Sequence, residues 1–200
     1  MSEVNRRQAI IDAAEEAFDA HGYAATTIDE VAAKAGISKG NIYNYFRSKE
    51  DLFEQVFVDV VHKLEADALQ IFEEPLPASE KLKRLIDYRL SNMGDCKRIG
   101  RLVLEFWATA AREQWGRLAE TLREMYDRWR ERVASILAEG VAQGEFSSEA
   151  GSPISAALIV ALLDGIEVES LLGFGANLDD QYRSTLKEAV LAALTAGKKE

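Results

Sequence analysis

The sequence predicts an all-α chain of about nine helices, and three observations carry that prediction. Only three of the 200 residues are proline, while the strong helix formers Ala, Leu and Glu are abundant. Apolar residues recur three and four apart through most of the chain, the spacing that lines one face of a helix. Clusters of Ser, Thr, Asp, Gly and Pro interrupt that spacing where caps and turns are required. There is no internal repeat and no low-complexity segment. With 48% hydrophobic residues, the chain has enough apolar material to bury the core of one medium domain or two small ones.

The first helix is expected from about Val4 to His21, with Ile10, Ile11, Ala14, Ala17 and Phe18 on one stripe and His21-Gly22 as its stop. Arg6 and Arg7 stand at its amino end, where they oppose the helix dipole. They are either solvated charges at a frayed terminus or contacts to phosphate or minor groove.

A second helix starts at Thr26 or Thr27, either of which can cap it, with Glu30 placed to reach back in a capping box. Ile28, Val31 and Ala32 give it an apolar face, and Ala35-Gly36 ends it. Ser38 caps a third helix whose buried side is formed by Ile42, Phe46 and, in one reading, Tyr45. Two short helices joined by a glycine-containing turn make a helix-turn-helix.

Ser48 caps the next helix and Glu50 and Asp51 occupy its first turn; Leu52, Phe53, Val56, Phe57, Val60, Val61 and Leu64 then carry it to about Phe72. At roughly twenty residues it would span about 30 Å, enough to connect a small head to a larger body. The stretch EEPLPAS, holding two of the three prolines, separates it from the body. An amphipathic helix from Ser79 to about Met93 uses Leu82, Leu85, Ile86 and Leu90, and Asn92-Met93-Gly94-Asp95 is its stop. Ile99 to Ala111 carries Leu102, Val103, Phe106, Trp107 and Ala110. A longer helix from about Trp115 to Gly140 carries Leu118, Leu122, Met125, Trp129, Val133, Ile136 and Leu137. Pro153 opens another helix at a position where its missing amide costs little, and the last one runs from about Leu178 to Ala196. The Gly-Lys-Lys-Glu end is expected to fray.

Composition excludes several function classes. Cys96 stands alone and cannot form an internal disulfide, and His21 and His62 are too far apart for metal-ligand spacing. No nucleophile with a base, paired carboxylates or metal cluster marks an enzyme, and no cofactor motif is present. The amino-terminal residues lack a signal-peptide apolar stretch, and the most hydrophobic run, Ile154 to Leu172, is broken by Asp164, Glu167 and Glu169. The expectation is a soluble, cytoplasmic protein with no membrane span.

The net charge of −10 would repel a duplex from the chain as a whole, so DNA binding requires a locally basic face. Val31 to Lys49 supplies one, with Lys34, Lys39, Arg47 and Lys49 and no acidic residue. Ser38 and Lys39 sit at the amino end of the third helix, the end that meets base edges in a helix-turn-helix, and a lysine there can reach guanine O6 or N7. Gly40 either lets the backbone approach the duplex or is a tolerated loss of propensity. Asn41 and Asn44 can pair with adenine or bond phosphate, and the Tyr43 hydroxyl can donate to phosphate. Asn is a poor helix former, so two in one short helix favour DNA contact over a merely solvated face. Lys34 reads as a solvated charge.

The run TTIDEVAAKAGISKGNIYNYFRSKEDLF, from Thr26 to Phe53, resembles the DNA-binding motif of TetR-family transcriptional regulators. The A-G-I-S turn, the K-G-N-I-Y-N-Y-F recognition helix and the following K-E-D-L carry the likeness, densely and in register. The resemblance implies that the first helix braces the helix-turn-helix and that Tyr43 and Lys49 clamp phosphate. It further implies backbone contacts from Thr27 and Tyr45; for Tyr45, packing beside Phe46 is the alternative. The stretch LVLEFWATAAREQW, Leu102 to Trp115, resembles the ligand-domain helix of choline- and multidrug-responsive members.

On this reading residues 1–50 form a helix-turn-helix DNA-binding domain, and residues 51–200 form a connector with a ligand-binding and dimerisation domain. Ile154 to Leu172 is apolar on more than one face (Ile154, Leu158, Ala161, Leu162, Gly165, Ile166, Leu171, Leu172), so both sides must be covered. A homodimer through the last two helices, with Tyr182, Leu186, Ala189 and Ala193 on the final one, covers it; a central core helix is the alternative. For a small-molecule effector the candidates are Tyr88, Trp107, Tyr126 and Trp129 among the body's aromatics, which also include Phe106, Trp115, Phe146 and Phe174. Aromatics at helical spacing also serve as ordinary core. Asp87, Glu105 and Glu120 near them would favour a cationic ligand. The expected function is a repressor that binds a palindromic double-stranded DNA operator as a dimer and is released by its effector; a helical interaction module without DNA binding is the alternative.

Overall fold

The computed structural model describes residues 3–95, 97–112 and 116–197. Cys96 and Trp115 therefore lie outside the described residues, as do the side chains of Leu64, Asn92, Met93 and Ile99. The described residues form nine α-helices and one 3₁₀ turn, with no strand. They are α1 (Glu3–Ala25), α2 (Ile28–Lys34), α3 (Lys39–Tyr43), α4 (Lys49–Glu73), α5 (Ala78–Asp95), α6 (Lys97–Ala111), α7 (Gly116–Ala142), α8 (Pro153–Leu172) and α9 (Asp180–Thr195). The 3₁₀ turn, Ser148–Gly151, precedes α8.

The expected stops sit close to the observed ones because their causes are local. Gly22 takes φ 76°, ψ 163° inside α1, so the helix kinks where the sequence placed its end, and one further turn follows. Ser48 Oγ accepts the Asp51 amide at 3.2 Å at the head of α4. Ser152 caps α8, whose first residue is Pro153, and Asp179 caps α9 by accepting the Tyr182 amide. The 3₁₀ turn escaped the sequence reading because four residues are too few to show a periodic apolar pattern.

Two compact units result: Met1–Leu64 with Arg101–Leu122, and Glu65–Gly100 with Arg123–Glu200. In the first, Ile10, Ile11, Ala14 and Phe18 of α1 are buried together with Val31, Ile42, Phe46, Leu52, Phe53, Val56 and Phe57. Phe106 from α6 closes that core, its ring 4.4 Å from both Phe53 and Phe57, while Phe18 meets Phe53 edge-on at 5.0 Å. In the second, Leu82, Leu85, Ile86 and Leu90 of α5 are buried, as are Trp129, Val133, Ile136 and Leu137 of α7 and Ile159, Val160 and Leu163 of α8. Among the described residues no helix is long and apolar enough to cross a membrane.

Candidate functional site

Of the two threonines that could cap α2, Thr27 does so: its backbone is extended and its Oγ1 accepts the Glu30 amide at 3.2 Å. Thr26 instead turns inward, donating its hydroxyl to the Ala17 and Gly22 carbonyls and tying the start of α2 to the end of α1. The Glu30 carboxylate, expected to complete a capping box, lies 2.9 Å from His21 Nε2. Gly36 closes α2 at φ 67°, a conformation that costs any side-chain-bearing residue more. Ser38 then caps α3 by accepting the Asn41 amide.

The expected third helix, drawn as far as Phe46, ends at Tyr43, but around α3 the division of faces is sharp. Ile42 is fully buried and Phe46 nearly so, whereas Ser38, Lys39, Gly40, Asn41, Tyr43 and Asn44 are all exposed. Tyr43 keeps 48% of its surface open, an exposure that core packing does not explain. Tyr45 lies just past the end of α3 and is half-buried. The sequence-predicted DNA contacts thus share one unit and, apart from Tyr45 and Lys49, an open surface.

The basic residues are less free than a count of charges suggests. Lys39 Nζ lies 2.7 Å from Asp29 Oδ2, and that hydrogen bond raises its pKa. Lys34 pairs with Glu16 at 2.8 Å. Arg7 donates to Gln55 Oε1 at 2.5 Å with its guanidinium 5.2 Å above the Phe46 ring. Lys49 Nζ donates to the Ala24 carbonyl at 3.2 Å and sits 4.4 Å over the Tyr23 ring; burial lowers its pKa. The sequence reading missed Asp29 and Glu16 as partners, because a 3-4 apolar pattern says nothing about which polar side chains meet across a turn.

Behind this surface, Tyr23 is a fixed point. Its amide donates to Glu105 Oε1 at 3.0 Å and its hydroxyl to Glu50 Oε1 at 3.0 Å. Burial, reinforced by Glu50, pushes its pKa up. Arg101 donates to Asp19 at 2.7 Å, and Arg117 meets Asp51 at 3.2 Å and Glu54 at 2.6 Å. The Glu105 carboxylate thus holds the end of α1.

The four candidate aromatics are divided between the two units. Trp107 belongs to the first unit and Tyr88, Tyr126 and Trp129 to the second. In the second unit Arg89 donates at 2.8 Å to both Asp164 and Glu167. Burial alone would lower its pKa, but the charges of Glu167 and Asp164 outweigh that and raise it. Tyr126 is hydrogen-bonded to Asp164, and burial pushes its pKa up. The Trp129 ring lies 5.8 Å from the Arg89 guanidinium and 5.9 Å from that of Arg132. Tyr88, half-buried, adjoins Arg89 on α5. Asp87 pairs with Lys187 at 2.8 Å, and Glu120 is exposed. The acids expected to select a cation thus have other work or face solvent. Phe146 is buried core and Phe174 is largely exposed.

The carboxyl-terminal residues 78–195 match the family model described as BetI-type transcriptional repressor, C-terminal, and residues 10–56 match that of bacterial regulatory proteins, tetR family. The chain belongs to the TetR family. The repressor KstR2 of Mycolicibacterium smegmatis is 30% identical over 154 residues, covering 71% of this chain and 68% of that protein. The TetR-family fold recurs in FadR from Bacillus subtilis, solved in complex with stearoyl-CoA, at 24% identity and a TM-score of 0.73 over 95% of this chain and 98% of that one. A protein from Saccharomonospora viridis solved in complex with choline gives a TM-score of 0.81 at 21% identity, over 99% and 100% of the two chains. The TetR-family chain is a transcriptional regulator, and the exposed face of α3 lies within the segment the amino-terminal family model covers.

Proposed function

We propose that this TetR-family regulator is a cytoplasmic repressor that binds a palindromic operator as a homodimer and is released by a small-molecule effector. The observation that carries the reading is the α2-turn-α3 unit: capped at Thr27 and Ser38, seated on Ile42 and Phe46, and presenting Lys39, Asn41, Tyr43 and Asn44 outward. Residues 1–50 read DNA, with Thr27, Tyr45 and Lys49 serving phosphates and Gly40 letting the α3 backbone approach the duplex. Residues 51–200 bind the effector and pair the subunits. Each head places α3 in a major groove about 34 to 36 Å from its partner's. The row Ile154, Leu158 and Leu162, apolar yet exposed on α8, supports pairing through α8 and α9.

Effector binding near Tyr88, Tyr126 and Trp129 lowers operator affinity only if it favours a state less suited to DNA, and DNA weakens the effector in return. A coupling of about 1 to 3 kcal/mol corresponds to roughly 5- to 150-fold. The helix α4 provides continuity, contributing Lys49–Leu64 to one unit and Glu65–Glu73 to the other. Choline and stearoyl-CoA, carried by two structural relatives, are the first ligands to test.

Selection of genomic duplex fragments by the purified protein at two salt concentrations tests the reading. Recovery of one inverted-repeat motif supports it; binding that is salt-sensitive but indifferent to sequence, or no binding, overturns it. On that motif, Lys39→Ala and Asn41→Ala are expected to relax base preference at particular positions, by on the order of tenfold each. Tyr43→Phe and Lys49→Ala are expected to weaken all duplexes alike and flatten the salt dependence, and altered base preference would contradict their phosphate role.

A further inference from the structure

We infer that Asp29 is a specificity-determining residue of the DNA-reading surface, one that pins the Lys39 ammonium toward base edges and withholds it from phosphates. The inference rests on the operator-binding reading above. Its basis is the 2.7 Å bond from Lys39 Nζ to Asp29 Oδ2, made across the turn between the first and second helices of the motif. The bond is not needed to hold those helices together. Thr27, Gly36, Ser38 and buried Ile42 already fix them, and the two side chains are 68% and 50% exposed. The first turn of α2 suits an acid by the helix dipole whether or not Lys39 is near, so it is the pairing with Lys39, on a surface meant for a polyanion, that requires another reason.

The chemistry of the ammonium supplies it. Lysine carries three donors on a flexible four-carbon stem, and an unrestrained one finds phosphate oxygens on any duplex. Asp29 occupies one donor and leaves two, the number that guanine O6 and N7 accept. It also cancels the charge that would draw Lys39 to the backbone. The position of Asp29 reinforces this. It lies in the first turn of α2, two residues from the Thr27 cap, and in a helix-turn-helix that first helix crosses the DNA backbone. A carboxylate there is repelled by phosphate unless Lys39 stays beside it. Non-cognate duplexes, which offer phosphates but no matching base edge, are penalised most.

The test compares wild type, Asp29→Asn, Lys39→Ala and the double variant on the selected operator and on a scrambled duplex of equal length, across a salt series. Asp29→Asn is expected to tighten the scrambled duplex and to steepen its log-log salt slope by about 0.9, one added phosphate contact. The ratio of operator to scrambled affinity is expected to fall by about two- to fivefold, the range an exposed ion pair spans. In the Lys39→Ala background Asp29→Asn is expected to leave that ratio unchanged. If Asp29→Asn tightens both duplexes equally, or moves the ratio equally with and without Lys39, Asp29 acts only as a general charge and the inference is wrong. A wild type that retains no operator at all sinks the operator reading and this inference with it; a wild type that does, with an unmoved ratio in Asp29→Asn, sinks this inference alone.

Discussion

Leu158→Glu is expected to convert the regulator to a monomer in sedimentation and to lower affinity for a full inverted repeat by about 10²- to 10⁴-fold, the advantage that linking two binding modules confers. The reason lies in the two faces of α8. Ala156, Ile159, Val160, Leu163 and Ile166 are buried within the protomer, so intramolecular packing is already served. Ile154, Leu158 and Leu162 nevertheless remain 69%, 65% and 43% exposed, and small Ala161 and Gly165 of the same helix are exposed too. Exposed Ala189 and Ala193 of α9 offer further close approach. A two-fold pairing presents this patch to its own copy, so each introduced carboxylate would be buried near its like-charged twin. An intact dimer in this variant would place the interface elsewhere.

Arg89→Met is expected to cost about 1 to 3 kcal/mol of unfolding free energy, because it leaves two partly buried acids of the second unit without their cation. Arg89 meets Asp164 and Glu167 at 2.8 Å each, and its side chain retains only 16% of its exposure. The arginine also faces the Trp129 ring, so part of the loss is packing. Adding Asp164→Asn and Glu167→Gln to Arg89→Met is expected to restore most of the deficit, since no uncompensated charge is then left buried. Denaturant midpoints at constant slope measure both steps. A single variant as stable as wild type would show that the network contributes nothing to folding.

What the sequence disclosed and what it hid divide along a physical line. Gly36, Ser38, Ser48 and Pro153 act on backbone groups within four residues of themselves, so their roles were legible before any fold was known, whereas the choice of Thr27 over Thr26 as the α2 cap was not. The same holds for buried Ile42 and Phe46, which stand four apart and so share a side, although the helix itself ends at Tyr43. Contacts spanning long separations were not legible: Arg89 to Asp164 crosses 75 positions and Tyr23 to Glu105 crosses 82. Glu105 accordingly read as a pocket acid, although it binds a backbone amide. The Asp29–Lys39 pair spans only 10 positions, yet it depends on how two flexible side chains meet over a turn, which no periodicity encodes. Regular spacing likewise places Trp107 and Trp129 on helix faces but does not say to which unit each helix belongs.

The placement of Trp129 gives the protein an optical gauge. Its indole is flanked by the guanidinium groups of Arg89 and Arg132 and by the Phe72 ring 6.3 Å away. Fluorescence from an indole responds to the field of nearby charges and to the approach of quenchers. In a variant carrying Trp107→Phe and Trp115→Phe, the remaining emission would come from this one residue, and any event that displaces either arginine would register as a change in colour or brightness. The second unit can thus be watched by light, unlabelled, while a candidate effector is titrated and before any operator is known.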